Sequence, residues 1–350
     1  MIGHLAHATG SPCPTCVLDA QRLPDDEPRL LHNLAEIRRY LAAAGGSHVL
    51  KLALVKPSPH PMFDLDYRFV QALPDAPDHF ELRGSCGHSI LAAVTAAARA
   101  GMLPRLTART RVRVRVLNNG DSVVLEADRV EDDRATFTVQ FVQPRPVPFA
   151  DLLMTGETIT RLDVDGRPLP VSLVSSGNAY AFVDARSLGI DGADALFDAG
   201  GALLDLLRRI RDAAADRLGW APGGAFPKVA AILPADRATI AARAASVPDW
   251  HPTIALTGAV CLGTAVRIPH TIPWRIARES GAADSLVEIL TPGGRTAVTS
   301  VTCGSDTGGA LMWATVADKH VSFQGSFVID PLRHLQFEEV AQCLALSTAA

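Results

Sequence analysis

Cys86 stands where a reactive thiol would be expected. It lies in a glycine-flanked segment, residues 84–89, and the run of small apolar residues at 90–98 predicts a buried helix directly after it. The thiol would then lie at a helix N-terminus, where free backbone N–H groups and a partial positive charge lower a thiol pKa and bind anions. A free cysteine is equally often a small buried hydrophobic residue, so its position alone leaves both interpretations open.

The other cysteines predict neither a disulfide framework nor a metal site. The chain has six cysteines, and they are spread widely over its length. Cys13 and Cys16 form one isolated C-x-x-C motif. A zinc site would need a second pair of ligands at similar spacing, and a thioredoxin-type motif would need a βαβ context. We therefore expect no metal site in this protein.

Several strands must position the helix that follows Cys86. The predicted elements of the first half are a helix at 30–41 and strands at 47–56, 64–70 and 135–142. Residues 109–127 predict a hairpin whose first strand carries alternate arginines. These arginines could bind a polyanion, but the solvated face of an antiparallel sheet is the expected role. The prolines at 144, 146 and 148 are expected to interrupt regular structure.

A similar order of elements starts again near residue 161. The predicted elements of the second half are strands at 171–183 and 226–233, a long helix near 203–210, a small-residue helix at 257–265 and a hairpin at 287–301. Each half thus places strands around one helix of small residues with a polar, glycine-bearing entrance, which indicates a weak internal duplication. Two such helix N-termini facing one cleft would favour an anionic substrate.

Length and charge favour an ordered protein that binds small molecules. With 350 residues the chain is long enough for two domains, each with its own core. The net charge of −4 and the lack of a long basic run argue against nucleic acid as a partner. No stretch approaches the ~20 apolar residues of a membrane span, and the N-terminus lacks the features of a signal peptide. We therefore expect no membrane partner and a cytoplasmic location.

The segments around Cys86 resemble the PrpF family. Residues 84–88 stand where that family has Gly-Asn-Cys-Gly-Asn, and residues 50–56 stand where it has Ser-Lys followed by an apolar strand. Similar segments occur at 227–230, 256–265, 268–271 and 291–294. The family includes 4-oxalomesaconate tautomerase, methylitaconate isomerase and accessory proteins of the methylcitrate pathway. The resemblance extends loosely over most of the chain.

This resemblance implies the diaminopimelate-epimerase fold. The expected class is α/β (α+β), with two pseudo-symmetric domains that each wrap a mixed sheet around a central helix. We expect an N-terminal domain at residues 1–160, a C-terminal domain at 161–330, and a C-terminal tail at 331–350 that packs on the N-terminal domain. A homodimer is left open as the oligomeric state.

The resemblance also implies that Lys51 and Cys86 are a catalytic acid–base pair. Lys51 lies in an apolar strand, where burial is expected to disfavour the ammonium and lower its pKa, so that the neutral amine is available as a base. Without the resemblance, a strand lysine pointing to solvent is the simpler interpretation, and Lys56 is the nearest competitor. The predicted enzyme is an isomerase or tautomerase that moves a proton and a double bond in a small unsaturated carboxylic acid. It would use no cofactor.

Further residues near the two helix N-termini are candidates for substrate binding. Backbone N–H groups at Gly87, His88 and Gly258 would hold substrate carboxylates. His88 could also be a third acid–base group, or only a polar residue of the first helical turn. A polar turn with Ser176 and Asn178 suits substrate hydrogen bonds, although ordinary turn chemistry explains it equally. The complete set of candidates is Ser85, Gly87, His88, Ser176, Asn178, Thr257, Gly258 and Cys13.

The N-terminal loop departs from the family pattern. The family has Met-Arg-Gly-Gly-Thr-Ser-Lys-Gly there, whereas residues 9–16 of this chain lack the arginine and the lysine. Cys13 falls near the family's serine and could replace it as a proton carrier. Two alternative functions stay open for such a chain. One is a non-catalytic accessory protein for an aconitase-like dehydratase, and the other is a pathway-specific enzyme that uses the fold on a larger substrate.

Overall fold

The computed structural model describes residues 1–236, 238–282, 286–304 and 308–332. The helices in these ranges are α1 Glu27–Ala43, α2 Gly87–Arg99, α3 Phe149–Leu152, α4 Ala193–Asp198, α5 Gly201–Arg217, α6 Leu256–Ala265 and α7 Ile272–Ser280. The strands are β1 Ile2–Ala8, β2 Thr15–Asp19, β3 Lys51–Pro57, β4 Leu65–Ala72, β5 Phe80–Glu81, β6 Arg111–Val116, β7 Ser122–Val130, β8 Arg134–Pro148, β9 Thr160–Val164, β10 Arg167–Ser176, β11 Asn178–Asp184, β12 Lys228–Pro234, β13 Thr239–Ala245, β14 Leu286–Thr291, β15 Gly294–Cys303 and β16 Ala310–Val328.

The first half forms a closed barrel of eight strands. Its strand order is β1-β2-β3-β4-β6-β7-β8-β16, and β1 also pairs with β16. The β2–β3 and β4–β6 pairs are parallel, whereas the other pairs in the barrel are antiparallel. A mixed sheet thus encloses α2, as predicted. Every residue from Gly87 to Ala97 in this helix is buried, since its small side chains let strands approach on all sides.

The second half repeats this pattern of pairing. The β11–β12 and β13–β14 pairs are parallel, in the same places as β2–β3 and β4–β6. The helix α6 follows β13 as α2 follows β4, and all ten of its residues are buried. The predicted pseudo-symmetric architecture of two mixed sheets, each around a central helix, is therefore confirmed.

One long strand belongs to both halves. In β16, the segment up to Val316 pairs with β15, and the segment from Val321 onward pairs with β1. The domain limits at residues 160 and 330 stay a proposal. Most of the predicted tail, residues 333–350, lies outside the described residues. Just before it, the Leu332 carbonyl accepts a hydrogen bond from the amino group of Met1 at 2.7 Å.

Contrary to the expectation from the sequence, the prolines after residue 142 do not end their strand. Strand β8 continues to Pro148, which pairs with Ala310 of β16. Beyond Val142 the β7 partner has ended, so the missing N–H groups face an open edge where proline is tolerated.

The arginines of β6 form a solvated face, as expected. Arg111, Arg113 and Arg115 make ion pairs with Glu126, Asp64 and Asp66, respectively, while the valines between them are buried. None of the helices in the described ranges is long and apolar enough to cross a membrane.

Candidate active site

A small cavity lies where the N-termini of α2 and α6 meet. Its volume is about 20 Å³, which holds roughly one water molecule. The lining includes five of the residues predicted from the sequence, Lys51, Ser85, Cys86, Asn178 and Thr257. A wider cleft of about 890 Å³ between the two halves shares Ser246 with the cavity. Residues of both halves of the chain line each of these two spaces.

Cys86 is the N-cap residue of α2 and is 6% exposed. Burial raises the pKa of its thiol, but the charge of Lys51, both polar groups of Ser89 and the charge of Lys228 together lower it below the ordinary value. The Ser89 contributions come from its hydroxyl and its backbone N–H. A helix N-terminus and two cations thus favour the thiolate even though the thiol is buried.

Lys51 is the first residue of β3, and its side chain lies inside the protein. It is 5% exposed, which excludes the solvent-facing orientation that the sequence left open. Its Nζ donates a hydrogen bond to the Ser11 hydroxyl at 2.8 Å, and that hydroxyl donates to the carbonyl of Cys13, also at 2.8 Å. The N-terminal loop therefore holds the ammonium of Lys51 beside the cavity.

Lys228 occupies the matching position in the second half and also lines the cavity. It is the first residue of β12, as Lys51 is of β3. Burial, followed by the charge of Arg211, lowers the pKa of Lys228 to about 7. Lys228 is not among the residues predicted from the sequence, although it starts an apolar strand, which is the pattern that pointed to Lys51. Two lysines from opposite halves thus face one thiol.

Asn178 joins the second half to the cysteine loop. Its Oδ1 accepts a hydrogen bond from the backbone N–H of Ser85 at 2.8 Å, and its Nδ2 donates one to the Ser85 carbonyl. The same Nδ2 also donates to Thr257 Oγ1, at 3.0 Å. A Cβ at Gly84, where φ is +83°, would lie 2.8 Å from Asn178 Oδ1 and 2.5 Å from the ring of Phe226. Glycine is required there because of both the backbone angle and the close approach.

Replacing Asn178 with alanine should lower the free energy of unfolding by about 1–3 kcal/mol for each buried Ser85 backbone group left unpaired. Urea denaturation measures this change. The matched control is Asn119→Ala, because Asn119 is exposed and donates to the carbonyl of Gly177 next to Asn178. Equal losses in the two variants would contradict a special role for Asn178.

Three other predicted residues position the helices and do not line the cavity. A Cβ at Gly87 would lie 2.6 Å from Leu256 Cδ2, so glycine lets α2 and α6 approach. A Cβ at Gly258 would lie 2.3 Å from the Tyr180 hydroxyl. The Ser176 hydroxyl lies 3.2 Å from that of Thr264 in α6. Local turn and helix patterns predicted these residues, but the tertiary packing decides which groups each of them meets.

His88 contacts a second histidine, His251, which is not among the residues predicted from the sequence. Its ring stacks on that of His251 with centroids 5.7 Å apart and 20° between the planes. Both side chains are buried, and burial is the largest cause of the low pKa of each. His251 lines the cavity with Cys86. It lies in the loop after β13, and no motif in that loop points to the site.

Cys13 lines the wider cleft, next to the cavity. Burial raises the pKa of its thiol, and the charge of Lys51 opposes this effect only in part. Cys13, Cys16, Cys86, Cys261 and Cys303 are all free thiols. In the part of the chain that the structure describes, no three His, Cys, Asp or Glu side chains are grouped as metal ligands.

Comparisons with known proteins agree with this architecture. The family model described as PrpF protein matches residues 41–317. The chain is 26% identical to 3-methylitaconate isomerase of Eubacterium barkeri, over 80% of this chain and 84% of the relative. The crystal structure of a methylitaconate-delta-isomerase superposes with a TM-score of 0.64 at 21% identity, covering 93% of this chain and 95% of that one. A hydroxyproline epimerase from Agrobacterium vitis gives 0.61 at 17% identity, covering 93% and 90%.

The shared fold is that of proline racemases and diaminopimelate epimerases, which confirms the expected fold class. The chain is also 27% identical to (4E)-oxalomesaconate Delta-isomerase of Novosphingobium sp. (strain KA1), over 73% of this chain and 76% of the relative. These relatives place this protein among the isomerases. Since the family model covers most of the chain, the protein belongs to the PrpF family.

Proposed function

We propose that this isomerase moves a proton and a double bond in a small unsaturated carboxylic acid, with Lys51 and Cys86 as the acid–base pair. One observation carries the proposal. The two side chains come from different elements, are both buried, and line the same cavity. The positive charge of Lys51 also lowers the pKa of the Cys86 thiol, as the pairing requires.

The proposed reaction uses one member of the pair in its deprotonated form and the other in its protonated form. One group of the pair removes a proton from a carbon next to the carboxylate, and the other delivers a proton at the far end of the allylic system. Each acid–base role contributes ~10²–10⁴-fold to the rate. Backbone N–H groups at the N-termini of α2 and α6 would stabilise the dienolate formed between the two transfers. Since side chains supply both acid and base, the reaction needs neither a metal nor an organic cofactor.

The substrate class is supported by the charges and by the relatives. Lys51 and Lys228 both line the cavity, which suits a carboxylate. The relatives' names specify methylitaconate and oxalomesaconate, so such acids are the first candidates. A cavity of about 20 Å³ is too small for them. The substrate would therefore enter through the interdomain cleft when the two halves separate.

Hydrogen exchange at carbon tests this function directly. The protein is incubated in deuterium oxide with 3-methylitaconate, itaconate and oxalomesaconate, and proton NMR follows both exchange and product formation. We expect at least one acid to exchange at the allylic carbon and to isomerise, with no change on addition of EDTA. A parent protein that exchanges none of a broader panel of unsaturated acids would refute the proposal.

Lys228 should make substrate binding depend on pH. Its pKa is about 7, so its ammonium is present below that pH and is lost above it. The charges of Arg211 and Lys51 disfavour that ammonium, whereas those of Cys86 and Glu81 favour it. We expect KM for an anionic substrate to rise as the pH increases from 6 to 8.5.

Two substitutions isolate this effect from the titration of the thiol. Lys228→Arg keeps a positive charge at every pH and should hold KM low at pH 8.5. Lys228→Met should have a high KM already at pH 6, with little further rise. Parallel KM profiles in the parent protein and both variants would show that Lys228 does not bind the carboxylate.

A further inference from the structure

His251 has a buried imidazole ring, and only one of its two nitrogens forms a hydrogen bond within the described part of the protein. The residue is 4% exposed and lines the cavity. Its Nδ1 accepts a hydrogen bond from the backbone N–H of Thr253 at 3.2 Å. Its Nε2 is buried and has no hydrogen-bond partner among the residues that the structure describes. A buried polar atom of this kind calls for a partner, and at a cavity wall a ligand can supply one.

The contact with Thr253 determines which nitrogen carries the proton. Since Nδ1 acts as the acceptor, the proton of the neutral imidazole is on Nε2. Burial, followed by the charges of Lys51 and Lys228, holds the pKa of His251 well below its ordinary value. The stacked ring of His88 is also held neutral, with burial and Lys51 as the two largest causes. The free nitrogen of His251 is therefore an uncharged N–H donor at physiological pH.

The orientation of this donor is restrained before any ligand binds. The hydrogen bond from Thr253 holds one edge of the ring, and the ring of His88 covers a face at 5.7 Å. His88 is in the first turn of α2, two residues after Cys86. The donor and the thiol thus belong to one packed unit, although they come from opposite halves of the chain.

We propose that His251 donates a hydrogen bond from Nε2 to a substrate oxygen conjugated to the carbon that loses its proton. This role rests on the proposed function and names a further residue for it. Negative charge develops on a carboxylate or carbonyl oxygen when the proton leaves the carbon. A fixed donor in a buried site stabilises that charge more than it stabilises the ground state. A neutral imidazole suits this role because it donates without surrendering its proton.

Two variants with matched size test this role. His251→Phe keeps the ring but removes the donor, and it should lower kcat by ~10²–10³-fold with a smaller change in KM. His251→Gln keeps an N–H donor and should recover part of the loss. The control is His60→Phe, since His60 is exposed in a loop, and it should behave like the parent protein. The substrate is whichever acid of the panel the parent exchanges fastest, and urea denaturation checks that each variant is folded.

Nitrogen-15 NMR of the histidine rings separates a binding role from a structural one, because a ring that does not contact the acid should keep its resonance when the acid binds. We expect the proton of His251 on Nε2 from pH 6 to 8, and a shift of this resonance when the acid binds. A parental kcat in folded His251→Phe, or an Nε2 resonance that the acid does not move, would overturn the role of His251. A parent protein that exchanges no acid would overturn the proposed function instead.

Discussion

Replacing Cys86 with alanine should slow hydrogen exchange at the substrate carbon by ~10²–10⁴-fold, because it removes one of the two proton carriers. Cys86→Ser should be almost as inactive, since a hydroxyl does not ionise appreciably in the range where the thiol does. Exchange in deuterium oxide measures both variants. The proteins should stay folded, because the N-cap side chain makes no capping hydrogen bond.

Cys261→Ala is the matched control for this prediction. Cys261 is a fully buried thiol in α6, and its Sγ contacts the carbonyl of Val174 at 3.3 Å. Cys261 does not line the cavity, and burial raises the pKa of its thiol to about 12, so we expect this thiol to take no part in the reaction. We expect near-parental exchange per folded molecule in the control. Undiminished exchange in Cys86→Ala would exclude this thiol from the reaction.

Replacing Lys51 with methionine should cause a loss of similar size, ~10²–10⁴-fold, because the second proton carrier is removed. It should also change the remaining thiol. The charge of Lys51 is the largest cause that lowers the pKa of Cys86, so its removal should raise that pKa. Alkylation of Cys86 by iodoacetamide would then require a higher pH. Exchange rates and the pH profile of alkylation measure the two effects separately.

Lys56→Met is the control for the second prediction. Lys56 lies five residues further along β3 and is only partly buried. It does not line the cavity, so both exchange and alkylation should match those of the parent protein. A Lys51→Met variant that loses exchange but keeps the parental alkylation profile would contradict the electrostatic coupling of Lys51 and Cys86.

The pattern of residues along the chain was sufficient to predict the core helices and one member, Cys86, of the proposed acid–base pair. The small-residue runs that form α2 and α6 are local features, and burial on all sides follows from the absence of a polar face. Cys86 lies between Gly84 and Gly87 and precedes such a run, which predicts a helix N-terminus at this position. The repetition of the same order of elements indicated the two similar halves in the same way.

Which side chains line the cavity depends on the tertiary structure. Lys51 and Lys56 share a strand, and only the pairing of β3 inside the barrel shows which of them is buried. Ser176 and Gly258 stand in turn and helix patterns like those of Asn178 and Thr257, yet they face α6 and Tyr180 instead. Side chains on neighbouring positions of one strand point in opposite directions, so the register of the sheet determines the composition of the site.

His251 and Lys228 show most clearly that a local sequence pattern does not reveal contacts between the two halves of the chain. Each lies in the second half of the chain and reaches a thiol in the first half only because the two halves pack against each other. No local pattern contains that contact, since it depends on how α2 and α6 meet through Gly87 and Leu256. The residue pattern alone predicted the two buried helices and the position of Cys86 at a helix N-terminus. The packing of the two halves decided which charges and donors surround that thiol, because long-range contacts, and not neighbours in sequence, set its electrostatic environment.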